Sequence, residues 1–168
     1  MAAHAVACAA ARLGQRARAV LIDAYPSDQW RHLAEPTESE ALLGILRLGG
    51  LDAPEGAELT RPVVREELRR QGSALGALPT PVLDGCIASV VEATRIVRGS
   101  RHDVLDGDLT VLVATAPRPE TWLSAGGWAP YVSGRVSTVP IDATHGALLR
   151  RPVADRVGAA LVDALGLD

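Results

Sequence analysis

Two side chains in this sequence could act together as a proton-transfer pair. Asp23 closes the apolar run 17–22, and His145 lies in the loop Asp142-Ala143-Thr144-His145-Gly146, just after the alternating run 135–141. Both runs read as β-strands. Reactive groups of α/β sheets collect at the carboxyl ends of the strands. An acid and a histidine on separate strand ends can activate a hydroxyl nucleophile. The carboxylate fixes the imidazole tautomer and stabilises the imidazolium, and the imidazole takes the proton.

Each residue also fits a plainer role. Asp23 suits a turn before Pro26, and His145 suits a solvent-facing loop. Spacing alone does not separate these readings. Glu120 is the rival acid, at the end of the segment that follows the run 109–114. It sits beyond Pro117 and Pro119, and Ala114-Thr115-Ala116 at the strand end carries no carboxylate, so Asp23 is preferred. Asp142 reads as a residue that orders the His145 loop. His4 is on the opening helix, and His32 and His102 are in polar loop contexts; these three are read as non-catalytic.

A nucleophile is missing from the pattern. No G-x-S-x-G, the strained strand-to-helix turn that exposes a reactive serine, occurs in the 168 residues. The serines lie in loops, helical segments or a strand, and Cys8 is two turns into a helix. The sequence offers neither a glycine-rich phosphate loop nor a metal-ligand constellation.

The elements that must position the pair are legible. "AAHAVACAAARLG" reads as a helix apolar on nearly every side, hence buried against a sheet, stopping at Gly14 with Arg12 near its negative end. Its small residues Ala2, Ala3, Ala7, Ala9, Ala10 and Ala11 would permit close approach to another backbone. A buried strand follows and ends at Asp23. The stretch 27–100 then holds consecutive helices and no strand. Thr37 and Glu40 have capping-box spacing. Thr60 and Pro62 open a second helix, which ends at Gly72 and carries a Glu66–Arg70 pair. Thr80 caps a third with Pro81 at its first position, and Leu83, Ile87, Val90, Val91, Thr94 and Val97 form its apolar face. Strands return at 109–114 and 135–141, and an amphipathic helix with Val153, Val157, Ala160, Leu161 and Leu165 on one side closes the chain. The expected fold class is α/β: a short parallel sheet with flanking helices and a helical insertion, for which a lid is the usual use. An open sheet edge makes self-association an expectation.

Composition narrows the function classes. The net charge is −3, all cationic side chains are Arg, and apolar residues make up 48%, which fits a globular protein and points to neither nucleic acid nor a membrane surface as partner. Cys8 and Cys86 lack metal spacing and read as small buried hydrophobes with reduced thiols. The start lacks a signal-peptide pattern, so a cytoplasmic protein is expected.

The chain resembles a known family along essentially its whole length. "MAAHAVACAAARLGQRARAVLIDAYP" is similar to the segment that follows the nucleophile serine in thioesterase domains of non-ribosomal peptide and polyketide synthetases, within the α/β-hydrolase superfamily. "TRPVVREELRRQGSAL" resembles a lid helix of that family. "WAPYVSGRV" resembles its W-x-x-Y-x-x-G segment, with Trp128, Tyr131 and Gly134. "DATHGALLRRP" resembles its histidine loop. An acid ahead of the lid, as Asp23 is, also matches the family's habit.

The resemblance implies a partial α/β-hydrolase fold over residues 1–168, one truncated domain with a lid insertion at about 27–100. It implies Asp23 as triad acid and His145 as general base. The implied activity is release of a peptidyl or acyl chain, by hydrolysis or cyclisation, from the phosphopantetheine arm of a carrier protein. No cofactor is expected to be bound, and the implied partners are a carrier protein or upstream synthetase modules. The family's first strands, serine elbow and oxyanion donors would precede residue 1, so the chain by itself is expected to be inactive. A remnant that binds a carrier protein or synthetase without catalysis is the alternative.

Overall fold

The computed structural model describes residues 2–34, 37–53, 56 and 58–167. The elements run α1 (Ala2–Arg12), β1 (Ala19–Ile22), α2 (Glu38–Leu48), α3 (Arg61–Arg70), α4 (Thr80–Gly99), β2 (Leu109–Ala114), β3 (Val136–Ile141) and α5 (Val153–Leu165), with short 3₁₀ turns between them. The chain divides into two compact units, Met1–His32 with Ser100–Asp168, and Leu33–Gly99.

The first unit is a three-stranded parallel sheet in the order β1-β2-β3. β2 is central, and alternation along it builds two cores. Leu109 and Val111 point to one face with Ala7, Cys8, Leu21, Leu105 and Trp128. Leu112 and Ala114 point to the other with Ile141, Leu148 and Val157 of α5. Helices therefore cover both faces, as parallel strands require. β3 is an outer strand, which accommodates Pro140.

α1 differs from expectation. His4, Ala7 and Cys8 are buried, while Ala2, Ala3, Ala5, Val6 and Ala9 are exposed. The helix packs on β1 by one stripe, and no second layer covers its other side among the described residues. Gly14 ends it as expected, at φ 73° with Gln15 N–H bonded to Ala10 O and Gly14 N–H to Ala11 O, the paired bonds of a left-handed terminus.

Before β3, the segment 125–134 is built around Trp128, which is fully buried. Its indole N–H donates to Ala24 O at 2.9 Å, and its ring contacts His4 and His102 at 4.9 and 4.8 Å between centroids. His4 Nε2–H donates to Tyr131 O at 2.9 Å, which leaves Nδ1 to accept from the Cys8 thiol at 3.7 Å. A Cβ on Gly134 would lie 2.3 Å from Asp108 Oδ1 and 2.7 Å from Gly107 O, so the backbone approach there needs glycine. Ser27, though 2.8 Å from His102 Nε2, is buried; its N–H donates to that nitrogen at 3.0 Å and its hydroxyl to Ser100 O at 2.6 Å.

The second unit buries Ala41, Leu42, Ile45 and Leu46 of α2 against Val64 and Leu68 of α3 and Leu83 and Ile87 of α4. The Thr37–Glu40 capping box is formed in both directions. Three local expectations change. Glu66 and Glu67 pair with Arg69 and Arg70 at i,i+3, replacing the expected Glu66–Arg70 pair. Thr60 has the extended backbone of a cap, but its side chain caps nothing. α4 begins at Thr80, its first bonds accepted by Pro79 O, one residue earlier than a Thr80 cap would place it. Cys86 is half-buried and Cys8 buried; burial, with Asp103 second, pushes the Cys8 thiol above its usual value. No helix among the described residues is long and apolar enough to cross a membrane.

Trp128→Ala is expected to cost about 3–5 kcal/mol in urea denaturation, by opening a cavity under Ala24. Acid should also weaken the first unit, which holds His102. Burial, with His4 beside it, lowers the pKa of His102 below the ordinary histidine value. The unfolded chain therefore takes up a proton near pH 6.5 that the folded chain refuses, and stability falls as pH drops below about 6.5. Urea midpoints at pH 7.5 and 5.5 measure the loss, and His102→Gln should flatten it.

Candidate active site

Asp23 follows the last residue of β1, and its N–H donates to Leu112 O at 2.7 Å, extending the β1–β2 ladder by one residue. It adopts φ 45°, a left-handed conformation that non-glycine residues rarely take. The kink turns its carboxylate back over the strand ends, where it is 4% exposed.

A buried carboxylate needs donors in place of water. Asp23 has four. Oδ1 accepts from Tyr25 Oη–H at 2.6 Å and from Ala114 N–H at 3.1 Å. Arg118 Nη1 lies 3.3 Å from Oδ1 and 3.4 Å from Oδ2. Oδ2 accepts from His145 Nδ1 at 2.8 Å. Burial works to raise the pKa of Asp23, but the bonds from Tyr25, His145 and Ala114 and the charge of Arg118 outweigh it, and the net direction is downward. Asp23 is thus held as the anion. Tyr25 is pushed up to about 12 by burial and by Asp23, so it stays a donor.

The anion settles the histidine tautomer. A carboxylate only accepts, so Nδ1 carries the proton, and in the neutral ring Nε2 presents the lone pair. His145 opens a 3₁₀ turn, His145–Ala147, after β3, and its side chain is 75% exposed. Among the described residues nothing bonds to Nε2. The pair chosen from the sequence therefore meets across 122 residues of chain, with Nδ1 of the imidazole on the carboxylate.

Glu120 is half-buried, and no bond joins it to His145 among the described residues. Asp142 is exposed and acts through its carbonyl, which accepts from Arg156 at 2.8 Å, so the loop is tied by backbone rather than by a carboxylate. His4, His32 and His102 contribute to aromatic contacts: His4 and His102 surround Trp128, and His32 lies edge-on to Trp122 at 5.3 Å. No set of three metal-ligating side chains comes together among the described residues.

Sequence reasoning passed over Tyr25 and Arg118. Their signal was available: Arg118 is the one charged residue of 115–119, directly beyond the end of β2, and Tyr25 is two residues from the acid.

No family model matches the chain. Over 146 residues, 84% of its length, the chain is 29% identical to a dimodular nonribosomal peptide synthase of Bacillus subtilis (strain 168), and it spans 6% of that relative. It superposes on a four-domain nonribosomal peptide synthetase with a TM-score of 0.72 at 12% identity, covering 92% of this chain and 13% of that one. Against the Vlm2 thioesterase domain bound with a dodecadepsipeptide the TM-score is 0.60 at 18% identity, covering 95% and 60%. Against the thioesterase domain that cyclizes the lipopeptide antibiotic surfactin it is 0.52 at 16%, covering 99% and 62%.

The fold is that of nonribosomal peptide synthetase thioesterase domains. The α/β class expected from the sequence holds, with a parallel three-stranded sheet and flanking helices.

Removing either member of the pair should separate their structural weights. Asp23→Ala leaves Arg118 without its counter-charge and is expected to cost about 3 kcal/mol. His145→Ala, at an exposed side chain, is expected to stay within about 0.5 kcal/mol. The depressed pKa of Asp23 also stabilises the fold above its unfolded value near 3.9, and this contribution is lost as pH falls through the folded value. Acid denaturation profiles of wild type and Asp23→Ala measure both effects.

Proposed function

We propose that Asp23 and His145 are the acid and base of a thioesterase that releases a peptidyl or acyl chain from carrier-protein phosphopantetheine in nonribosomal peptide synthesis. One observation carries this reading: a buried, ionised carboxylate fixes Nδ1 of an exposed imidazole and leaves Nε2 open at the carboxyl end of a parallel sheet. The relatives support a role in nonribosomal peptide synthesis, since each is a nonribosomal peptide synthetase or a thioesterase domain.

In this reading His145 Nε2 takes the proton of a serine hydroxyl as it attacks the thioester carbonyl, and Asp23 stabilises the imidazolium. The imidazolium then protonates the departing thiolate. Water or a nucleophile of the chain itself, deprotonated by the same nitrogen, attacks the acyl-serine and frees the product. The 168 residues hold no G-x-S-x-G, so the reading assigns the serine to an elbow outside them. The helical unit, inserted between β1 and β2, is assigned the role of lid, and a carrier protein is the partner that delivers substrate.

A fluorophosphonate probe and a peptidyl N-acetylcysteamine thioester test the reading. The 168-residue chain alone is expected to be neither labelled nor active. The product of the whole reading frame, with whatever residues its gene encodes ahead of Met1, is expected to be labelled on a serine and to cleave the thioester. There His145→Ala should lower kcat at least about a hundredfold. An unaffected kcat, or stoichiometric labelling of the 168-residue chain, would overturn the assignment.

A further inference from the structure

Arg118 belongs to a closed triangle of contacts with Asp23 and Tyr25. Its Nη1 faces both oxygens of Asp23 at 3.3 and 3.4 Å. Its Nη2 donates to Ala114 O at 2.9 Å, on the residue whose N–H holds Asp23 Oδ1. Its guanidinium carbon lies 5.0 Å from the centre of the Tyr25 ring, whose hydroxyl also holds Oδ1. Every edge of the triangle is polar or cation–π, and its side chains are shielded: Arg118 is 24% exposed and Asp23 1%.

The geometry sorts the carboxylate oxygens. Oδ1 takes Tyr25 and Ala114, Oδ2 takes His145, and Arg118 Nη1 faces both oxygens. The Arg118 contacts are longer than the 2.8 Å bond from His145, so they orient the carboxylate plane without displacing the imidazole. His145 depends on that orientation, because Asp23 Oδ2 is its one side-chain partner among the described residues.

We propose that Arg118 is a positioning residue: its two-pronged grip on Asp23 and Ala114 O, braced by Tyr25, fixes the carboxylate so that Oδ2 holds His145 as the Nδ1–H tautomer. The proposal rests on the acid–base reading of the pair and adds a residue to it. A guanidinium is required by the geometry, since lysine carries a point charge without a planar fork and cannot span Asp23 and Ala114 O in the same way. The cation has a second effect. With Arg118 beside it, Asp23 remains an anion that accepts from Nδ1–H, so the ring's orientation is set before any proton moves.

The tautomer can be read without a nucleophile. In ¹⁵N-labelled wild-type chain, the His145 ring nitrogens should show the Nδ1–H tautomer, with the Nδ1 proton exchanging slowly with water. In Arg118→Gln, the amide spectrum should report a folded chain while the His145 nitrogens move to a mixture of tautomers and the slow proton is lost. In Arg118→Lys, the charge is kept and the fork is lost, and the same mixture is expected with a faster-exchanging proton. A role in stability alone would lower the denaturation midpoint and leave the tautomer intact.

Wild-type tautomer and proton exchange in a folded Arg118→Gln would overturn the proposal. Should Arg118→Gln fail to fold, Arg118→Lys decides it: a His145 signature equal to wild type overturns the requirement for the fork, and a mixed tautomer supports it. The thioester assay bears on the proposed reaction and this measurement on Arg118, so either can fail while the other stands.

Discussion

An ionised carboxylate in a water-poor place is the constraint on which this structure turns. Asp23 survives as an anion because Tyr25, Ala114 N–H, Arg118 and His145 replace its lost water. Apart from Tyr25, these donors lie 91, 95 and 122 residues further along the chain. Parallel strands solve this problem directly. β1, β2 and β3 lie side by side with Ile22 opposite Leu112 and Ala114 opposite Ile141, so the three segments that follow them emerge at one end. A slip of one residue between β1 and β2 would carry Ala114 N–H away from Oδ1 and turn the core face of the strand outward.

The backbone at Asp23 is held against its own preference. A non-glycine residue at φ 45° is strained, and such a conformation persists only where its surroundings over-determine it. Here the surroundings are specific. The Asp23 N–H is tied to Leu112 O, and Ala24 O receives the indole N–H of the buried Trp128. Trp128 in turn is walled by His4 from α1 and by His102 from the segment before β2. The aromatic cluster therefore holds Ala24 and the charged cluster holds Asp23, two adjacent residues at the end of β1.

What the sequence made readable was local or chemical. Gly14 and the Thr37–Glu40 box act within a single turn, and both occupy the geometry their residue types demand. Asp23 and His145 stood out because polar groups at the ends of apolar runs have few roles. Arg118 and Tyr25 stayed hidden because their work is tertiary: neither belongs to a periodic pattern, and their value appears once β1 and β2 are adjacent. The surface of α1 was misjudged for the opposite reason. A helix rich in alanine carries little amphipathic contrast, so its pattern cannot say which stripe meets the sheet, and Val6 on the open side is as apolar as Ala7 on the buried one. The Glu66 pairing failed on geometry, since residues three and four apart are both in reach and the rotamers chose three.

Under the proposed acid–base reading, the unequal burial of the two partners has its own logic. A group that takes and returns a proton must reach what it acts on, and its nitrogen cannot be walled in. The group that sets its tautomer has the reverse requirement, because a mobile or hydrated carboxylate would let the ring turn. Exposure of His145 and burial of Asp23 satisfy both conditions with a single hydrogen bond between them. The arrangement also decides where rigidity must be built. On that reading rigidity belongs behind the acid, where Tyr25, Arg118 and the strand-end amide of Ala114 meet the carboxylate that holds His145 through Oδ2.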